Sequence, residues 1–299
     1  MFRKLFITLT LLALTACSVP ASSSTPGGLP VVATTSLIGD VARQIGGDSV
    51  SVSVLLPPGT DPHSYEPRPQ DVAILTDADL VLVNGFDLEE TLEPLFENAV
   101  KVIVVSDGIE ALPFEGKHEG EDEHSLDPHV WQDPNNVIVW AHNIADAFAQ
   151  ADPAHAEQYA ANAEAYIAEL TALDAWIIAQ VARIPQANRK IVTDHTAFGY
   201  FTARYGFEQV GAVIPSLSSG ASPSAQELAA LEDAIRSSGV KAIFVGSTVS
   251  PDLSRRVADD TGVRLVMLHT GSLSGPGGGA ESYLEFMRYN VNAMVEALR

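Results

Sequence analysis

The chain has 299 residues, of which 46% are hydrophobic and 18% charged, so it is long enough for two folded domains and too apolar to be disordered. A single cysteine excludes a disulfide framework within the chain. A net charge of −21 at pH 7 argues against nucleic acid as a partner and favours cations.

The first element along the chain is an export signal, predicted over residues 1–16. Arg3 and Lys4 precede the apolar run LFITLTLLAL, which is far shorter than the ~20 residues that a membrane span needs. The run ends in Leu-Thr-Ala-Cys, which resembles the lipobox of bacterial lipoproteins and implies a diacylated Cys17. In the alternative, the signal is an ordinary one and Cys17 is incidental.

Lipidation would place the mature protein at a membrane surface. Two acyl chains hold a protein at a membrane where one chain is marginal. Residues 17–30 would then form the lipidated cysteine and a flexible tether, with the folded part facing the periplasm or the cell exterior.

Beyond the tether, short apolar runs alternate with amphipathic segments in two series. The runs VVATTS, VSVSVLL, DLVLVN and VKVIVV predict buried parallel strands of an N-terminal metal-binding lobe, residues 31–150. The runs KIVTD, EQVGAVIP, VKAIFVG and VRLVML predict a C-terminal metal-binding lobe, residues 186–299. Alternating strands and helices indicate an α/β fold with two open parallel sheets.

Two long helical segments separate the two series. The first is predicted from about Pro134 to Gln150. The second begins after Asp152-Pro153, which supply a cap and a first-turn proline, and runs to Ile184. At ~1.5 Å per residue this rod is roughly 45 Å long. We predict that residues 151–185 form one rigid helix joining two similar lobes, the alternative being a helix packed on one lobe only.

Three histidines lie in related sequence motifs, GTDPHSYEP, LDPHVWQDP and VTDHTAFGY. They are His63, His129 and His195, spaced 66 residues apart. Each follows a strand or precedes a helix, where ligands gather in open α/β sheets. Each also has an acid one or two residues before it that could orient its imidazole: Asp61, Asp127 and Asp194.

Three imidazoles suit zinc better than manganese or calcium, which prefer oxygen ligands. His63 and His129 fall in the first lobe and His195 in the second, so a bound ion would bridge the lobes. His142 and His155 lie in helical runs and are predicted to be surface residues.

The segment GKHEGEDEHS, residues 116–125, is the only charged insertion of low complexity. Such a run is usually a solvated loop. Its two histidines, His118 and His124, lie directly upstream of His129, so a metal-collecting loop is an equal alternative.

These motifs together resemble the metal-binding solute-binding proteins of bacterial zinc and manganese ABC importers. LLPPGTDPHSYEPRPQDVAIL, DPHVWQDPNN and TDHTAFGYFTARYGFE are similar to the three ligand motifs of that family, in the family's order. SPSAQELAALEDAIRSSGVKAIFV and ESYLEFMRYN resemble its C-terminal lobe, so the resemblance covers nearly the whole mature chain.

The resemblance implies that His63, His129 and His195 are the metal ligands, with histidine at the third position as in zinc-type members. Many members supply a fourth ligand from an aspartate in a Thr-Asp-Ser-Leu phrase, where this chain has Thr270-Gly271-Ser272-Leu273. The fourth position is therefore open. Water is the first choice, and the other candidates are Glu66, His269, His118 and His124.

The resemblance also implies a function. The protein would capture Zn²⁺ outside the cytoplasmic membrane and deliver it, as a monomer, to an ABC transporter permease driven by a cytoplasmic ATPase. Manganese or iron as cargo is one alternative. A zinc hydrolase is the other, although the sequence has no HExxH pair. Related lipoproteins are also described as adhesins, but no host-binding motif is recognisable here.

Overall fold

A computed structural model describes residues 27–96, 101–114, 125–216 and 221–299. The first half of the chain forms an α/β lobe. Its elements are β1 (Leu29–Ala33), α1 (Ser36–Gly46), β2 (Val50–Val54), α2 (Pro69–Thr76), β3 (Leu80–Val83), α3 (Glu93–Phe96), β4 (Val102–Val104) and α4 (Pro134–Ala151).

A long helix, α5 (Ala156–Val181), precedes the second lobe. The elements of that lobe are β5 (Lys190–His195), α6 (Gly199–Tyr205), β6 (Glu208–Ile214), α7 (Ala225–Ser238), β7 (Ala242–Gly246), α8 (Asp252–Thr261), β8 (Arg264–Leu268) and α9 (Tyr283–Leu298).

The two lobes contain parallel four-stranded sheets with the same topology. The strand order is β2-β1-β3-β4 in the first lobe and β6-β5-β7-β8 in the second. Every strand pair is parallel. Strands β3 (LVLV) and β7 (AIFVG) are buried along their whole length, as expected where helices cover both faces of a sheet.

Local signals fix where the main helices begin. Thr35 caps α1 by accepting the backbone N–H of Ile38 at 3.2 Å. Asp133 caps α4, and Pro134 occupies its first turn. At α9, Ser282 and Glu285 form a reciprocal capping box.

One hydrophobic core runs through both lobes, and α5 lies in it. The buried stripe of α5 repeats every three or four residues: Tyr159, Ala163, Tyr166, Leu170, Leu173, Ile177 and Val181. The helix packs against α1 and α4 of the first lobe and α9 of the second. Its side chains therefore share a single cluster with Trp140 of α4 and Phe286 of α9.

The predicted fold class is confirmed: two similar parallel-sheet α/β lobes with a long helix between them. The helix is shorter than predicted, because Pro153–His155 form a 3-10 turn before α5 and the α-helix ends at Val181. The exact domain boundaries stay a prediction. The predicted signal and Cys17 lie outside the described residues, and no helix within the described ranges is long and apolar enough to cross a membrane.

Candidate metal centre

Three histidines from three distant parts of the chain converge between the lobes. One ring nitrogen from each of His63, His129 and His195 lies within 4.8 Å of the other two. Nε2 of His63 and Nε2 of His129 are 2.9 Å apart. A tetrahedral zinc ion with Zn–N bonds of ~2.0–2.1 Å would hold its nitrogens roughly 3.3 Å apart. The cluster is therefore close to the size that such an ion needs.

His63 lies on the loop that follows β2. The Asp61 carboxylate accepts the backbone N–H of His63 at 3.1 Å and the Ser64 hydroxyl at 3.2 Å, which forms a tight turn around the histidine. Its side chain is half-buried, so His63 lies at the rim of the cluster.

His129 follows the antiparallel bridge between Pro113 and Leu126 and precedes the 3-10 turn that leads into α4. The ring is buried, and Asp127 accepts both its backbone N–H, at 3.0 Å, and its Nδ1–H, at 2.7 Å. Asn84, at the end of β3, donates its Nδ2–H to the carbonyl of Pro128 at 3.0 Å. A carboxylate on Nδ1 places the proton there and leaves the Nε2 lone pair facing the cluster.

His195 is the last residue of β5 and is also buried. Asp194 accepts its backbone N–H at 2.9 Å and its Nδ1–H at 3.1 Å. The second oxygen of Asp194 accepts the N–H of Gly246, at the end of β7, at 2.9 Å. The carboxylate thus fixes the ring of His195 relative to the central strands of its sheet.

Burial and charge shift the pKa values of two of the three imidazoles in opposite directions. Burial, together with the neighbouring imidazoles, lowers the pKa of His63 well below its usual value. Burial also acts to lower the pKa of His195, but the charge and hydrogen bond of Asp194 outweigh it, and the pKa is raised. Burial likewise opposes ionisation of Asp194, but its interactions with His195 and the Gly246 N–H prevail, and its pKa is lowered.

The predicted orienting acids can now be placed. Asp127 and Asp194 contact the ring nitrogens of the histidines that follow them, as predicted. Asp61 accepts the backbone N–H of its histidine and shapes the loop. Trp131 packs beside the site, with its ring 5.3 Å from that of His129 in an edge-on arrangement.

The other predicted ligands do not join the three histidines within the described residues. Glu66 is exposed. Nδ1 of His269 lies 3.1 Å from the Ser247 hydroxyl, and its ring packs 4.9 Å from that of Tyr289. His118 and His124 lie outside the described residues.

Gly271 stands where the resemblance implies an aspartate as the fourth ligand. A Cβ atom added there would be 3.0 Å from Cδ of Pro62, the residue directly before His63. Position 271 is therefore next to the loop that carries His63, and glycine leaves the position without a carboxylate.

Sequence reasoning missed the contacts that join the two lobes beside the site. Trp131 donates its Nε1–H to the carbonyl of Thr270 at 2.8 Å, and Gly59 donates its N–H to the hydroxyl of Ser272 at 2.8 Å. On α6, the hydroxyl of Tyr200 donates to the carbonyl of Asp127 at 2.9 Å. Tyr200 belongs to the third ligand motif, TDHTAFGYFTARYGFE, which was the only sequence signal that pointed to it.

Two α/β lobes with a buried cluster of three imidazoles between them define a metal-binding solute-binding protein. The family model described as "zinc-uptake complex component A periplasmic" matches residues 31–297, and the chain belongs to that family, the solute-binding components of ABC metal importers. The family is not one of enzymes.

Relatives with different metals in their names are similar over most of their length. A manganese-binding lipoprotein of Halalkalibacterium halodurans is 39% identical over 91% of this chain and 89% of its own. An iron-binding protein of Yersinia pestis is 34% identical over 92% of this chain and 88% of its own. The periplasmic zinc-binding protein TroA of Treponema pallidum superposes with a TM-score of 0.81 at 28% identity, covering 91% of this chain and 99% of that one.

Proposed function

We propose that the protein captures Zn²⁺ between its lobes through His63, His129 and His195 and delivers the ion to the permease of an ABC importer. One observation carries the choice of zinc: the group of ligand atoms in the described residues consists of imidazole nitrogens alone. Imidazole suits zinc, whereas manganese prefers carboxylate and water oxygens.

Two further features support this proposal. Asp127 and Asp194 each accept an Nδ1–H, which directs the Nε2 lone pair of His129 and His195 into the cluster. Gly271 leaves the edge of the site without the carboxylate that would add a hard oxygen ligand. Water would complete a four-coordinate site.

The proposal extends to how the protein works at the membrane. Diacylated Cys17 would anchor a monomer, and the tether would let the lobes reach the permease. A chain that lacks residues 1–17 should therefore be soluble and still bind metal. Metabolic labelling with a fatty acid, in wild type and in Cys17→Ser, tests the anchor separately from the metal site.

A competition titration tests the choice of metal. Metal-stripped protein, residues 18–299, would compete with a chromogenic chelator for zinc and, separately, for manganese. We expect tight zinc binding, weak manganese binding, and a loss of zinc affinity on the order of 100-fold in His195→Ala.

His142→Ala is the matched control, since His142 is an exposed histidine on α4. Its affinity should equal that of wild type. Manganese binding as tight as zinc binding would contradict the choice of zinc and favour the cargo named for the Halalkalibacterium relative. Unchanged zinc binding in His195→Ala would place the ion elsewhere.

A further inference from the structure

Tyr200 of the second lobe is hydrogen-bonded to the segment of the first lobe that carries His129. Tyr200 lies in α6, five residues after His195, and its side chain is buried. Its hydroxyl donates to the carbonyl of Asp127 at 2.9 Å and accepts the backbone N–H of Leu112 at 3.1 Å. Both partners belong to the first lobe, so this single hydroxyl makes two hydrogen bonds between the lobes.

These partners lie in two segments that pair through an antiparallel bridge between Pro113 and Leu126. The Asp127 N–H donates to the Leu112 carbonyl at 2.8 Å, and the Phe114 N–H donates to the Ser125 carbonyl at 2.9 Å. We call residues 112–114 and 125–127 the stem. Tyr200 therefore binds both segments of the stem, two residues before His129.

The backbone of Gly199 also lies close to the side chain of Asp127. A Cβ atom at position 199 would lie only 2.4 Å from Oδ2 of Asp127. The other oxygen, Oδ1, is the one that accepts the N–H and the Nδ1–H of His129. The carboxylate thus fits between His129 and the backbone of α6 because position 199 has no side chain.

The stem borders a pocket of about 410 Å³, and Leu112, Asp127 and Gly199 are among the residues that line it. On its other sides, Asp127 is restrained by its backbone hydrogen bond to Leu112, by the hydroxyl of Tyr200 and by the close approach of Gly199.

We propose that Gly199 and Tyr200 are positioning residues for metal binding. The segment of the second lobe that carries His195 also orients His129, through Asp127 of the first lobe. If the lobes separated along this edge, His195 would move away from the cluster. In the same movement, Asp127 would no longer hold the ring of His129 in place. This inference rests on the proposed function, since it requires the histidines to be the ligands.

Tyr200→Phe tests the hydroxyl, because it removes both hydrogen bonds and keeps the ring. Partners that orient a metal-binding histidine typically contribute 10–100-fold to affinity, and Tyr200 acts through such a partner, so we expect zinc affinity to fall about tenfold. The matched control is Tyr205→Phe on the same helix, which loses a hydrogen bond to Asp174 away from the site. It should lower the melting temperature and leave the zinc affinity unchanged.

Gly199→Ala tests the close approach without removing any hydrogen-bonding group. The new methyl group would displace the Asp127 carboxylate, so zinc should again bind more weakly. The control is Gly275→Ala, because a Cβ atom there meets nothing within 4 Å. That variant should bind zinc like wild type.

An NMR measurement separates positioning from a general loss of stability. In the metal-free protein, the Nδ1–H of His129 that donates to Asp127 should give a downfield proton resonance, assigned by its loss in His129→Ala. We expect this resonance to shift or broaden in Tyr200→Phe and to persist in Tyr205→Phe.

His63→Ala distinguishes failure of this inference from failure of the proposed function. If His63→Ala weakens zinc binding while Tyr200→Phe changes neither the affinity nor the resonance, the positioning role is overturned and the metal site stands. If His63→Ala also leaves zinc binding unchanged, the metal site itself is overturned, and the inference with it.

Discussion

At the scale of single residues, the imidazoles of His63 and His195 differ in how firmly they keep a proton. The pKa of His195 is raised by Asp194 despite burial, while burial and its neighbours lower the pKa of His63. A metal ion binds only the unprotonated nitrogen, so each pKa sets the pH at which a proton begins to compete with the ion.

We therefore predict that zinc affinity begins to fall while the pH is still above the usual histidine pKa of ~6.5. His195 takes up its proton before His63, which stays neutral to a much lower pH. Each imidazole that takes up a proton in this range should steepen the fall in affinity by about tenfold per pH unit. Competition titrations between about pH 8 and pH 5.5 would measure it, and an affinity that stays constant down to pH 6.5 would contradict the raised pKa of His195.

Adding a carboxylate at position 271 tests the metal preference of the site. Gly271→Asp would place a carboxylate beside Pro62 and the cluster, after Pro62 shifts by a few tenths of an ångström. A hard oxygen ligand favours manganese. We expect manganese affinity to rise by about tenfold, which corresponds to about 1.4 kcal/mol.

The control for this substitution is Gly275→Asp, which adds the same charge at an open position. A chelator competition with manganese would compare the two variants. An equal rise in both would indicate a general effect of negative charge and would contradict a direct ligand at position 271.

At the scale of elements, the contacts beside the site join loops that are far apart in the sequence. Trp131, in the turn before α4, donates to the carbonyl of Thr270 in the loop after β8. The hydroxyl of Tyr283, at the start of α9, donates in turn to the carbonyl of Trp131 at 2.7 Å. These bonds connect the turn before α4 with the start of α9 across the lobe boundary.

We predict that Trp131→Phe lowers the free energy of unfolding by about 1–3 kcal/mol, because the buried carbonyl of Thr270 would lose its donor. Trp176→Phe is the control, since that ring is partly buried and lies 4.9 Å from the guanidinium of Arg288. Its cost should be about 0.5–1 kcal/mol. Urea unfolding would measure both, and equal costs would contradict a special role for the Trp131 N–H.

The sequence predicted the elements better than the contacts between them, for a physical reason. Apolar runs mark where strands lie along the chain, so β1 to β8 could be located from them. The prediction that these strands are buried was wrong in part, because the edge strands β2, β4 and β8 are partly exposed. The contact between Trp131 and Thr270 depends on how the two lobes pack, which local periodicity does not describe. His269 shows the same limit. It follows β8 directly, as expected, but its ring packs on Tyr289.

At the scale of the whole molecule, α5 connects the hydrophobic cores of the two lobes. Its buried stripe shares a core cluster with helices of both lobes. Domains with separate cores can unfold in separate steps, whereas a shared core favours a single cooperative transition.

We predict that Leu170→Ala, in the middle of α5, lowers the free energy of unfolding by about 2–5 kcal/mol and keeps a single transition. Leu170 is fully buried, so its removal leaves a cavity in the shared core. Calorimetry of the metal-free variant would test this. Two resolved transitions, with only one of them shifted, would contradict a common core.

The rim position of His63 has a consequence for unloading. His129 and His195 are buried and each is held from behind by a carboxylate, whereas His63 is half-buried on a loop. The bond to His63 is therefore the one we expect to break first when the ion departs. In the proposed site, His129, His195 and the water would then still hold the ion, and a receiving site would compete with one protein ligand fewer. The turn around residue 63 would then mark the side of the protein from which cargo leaves.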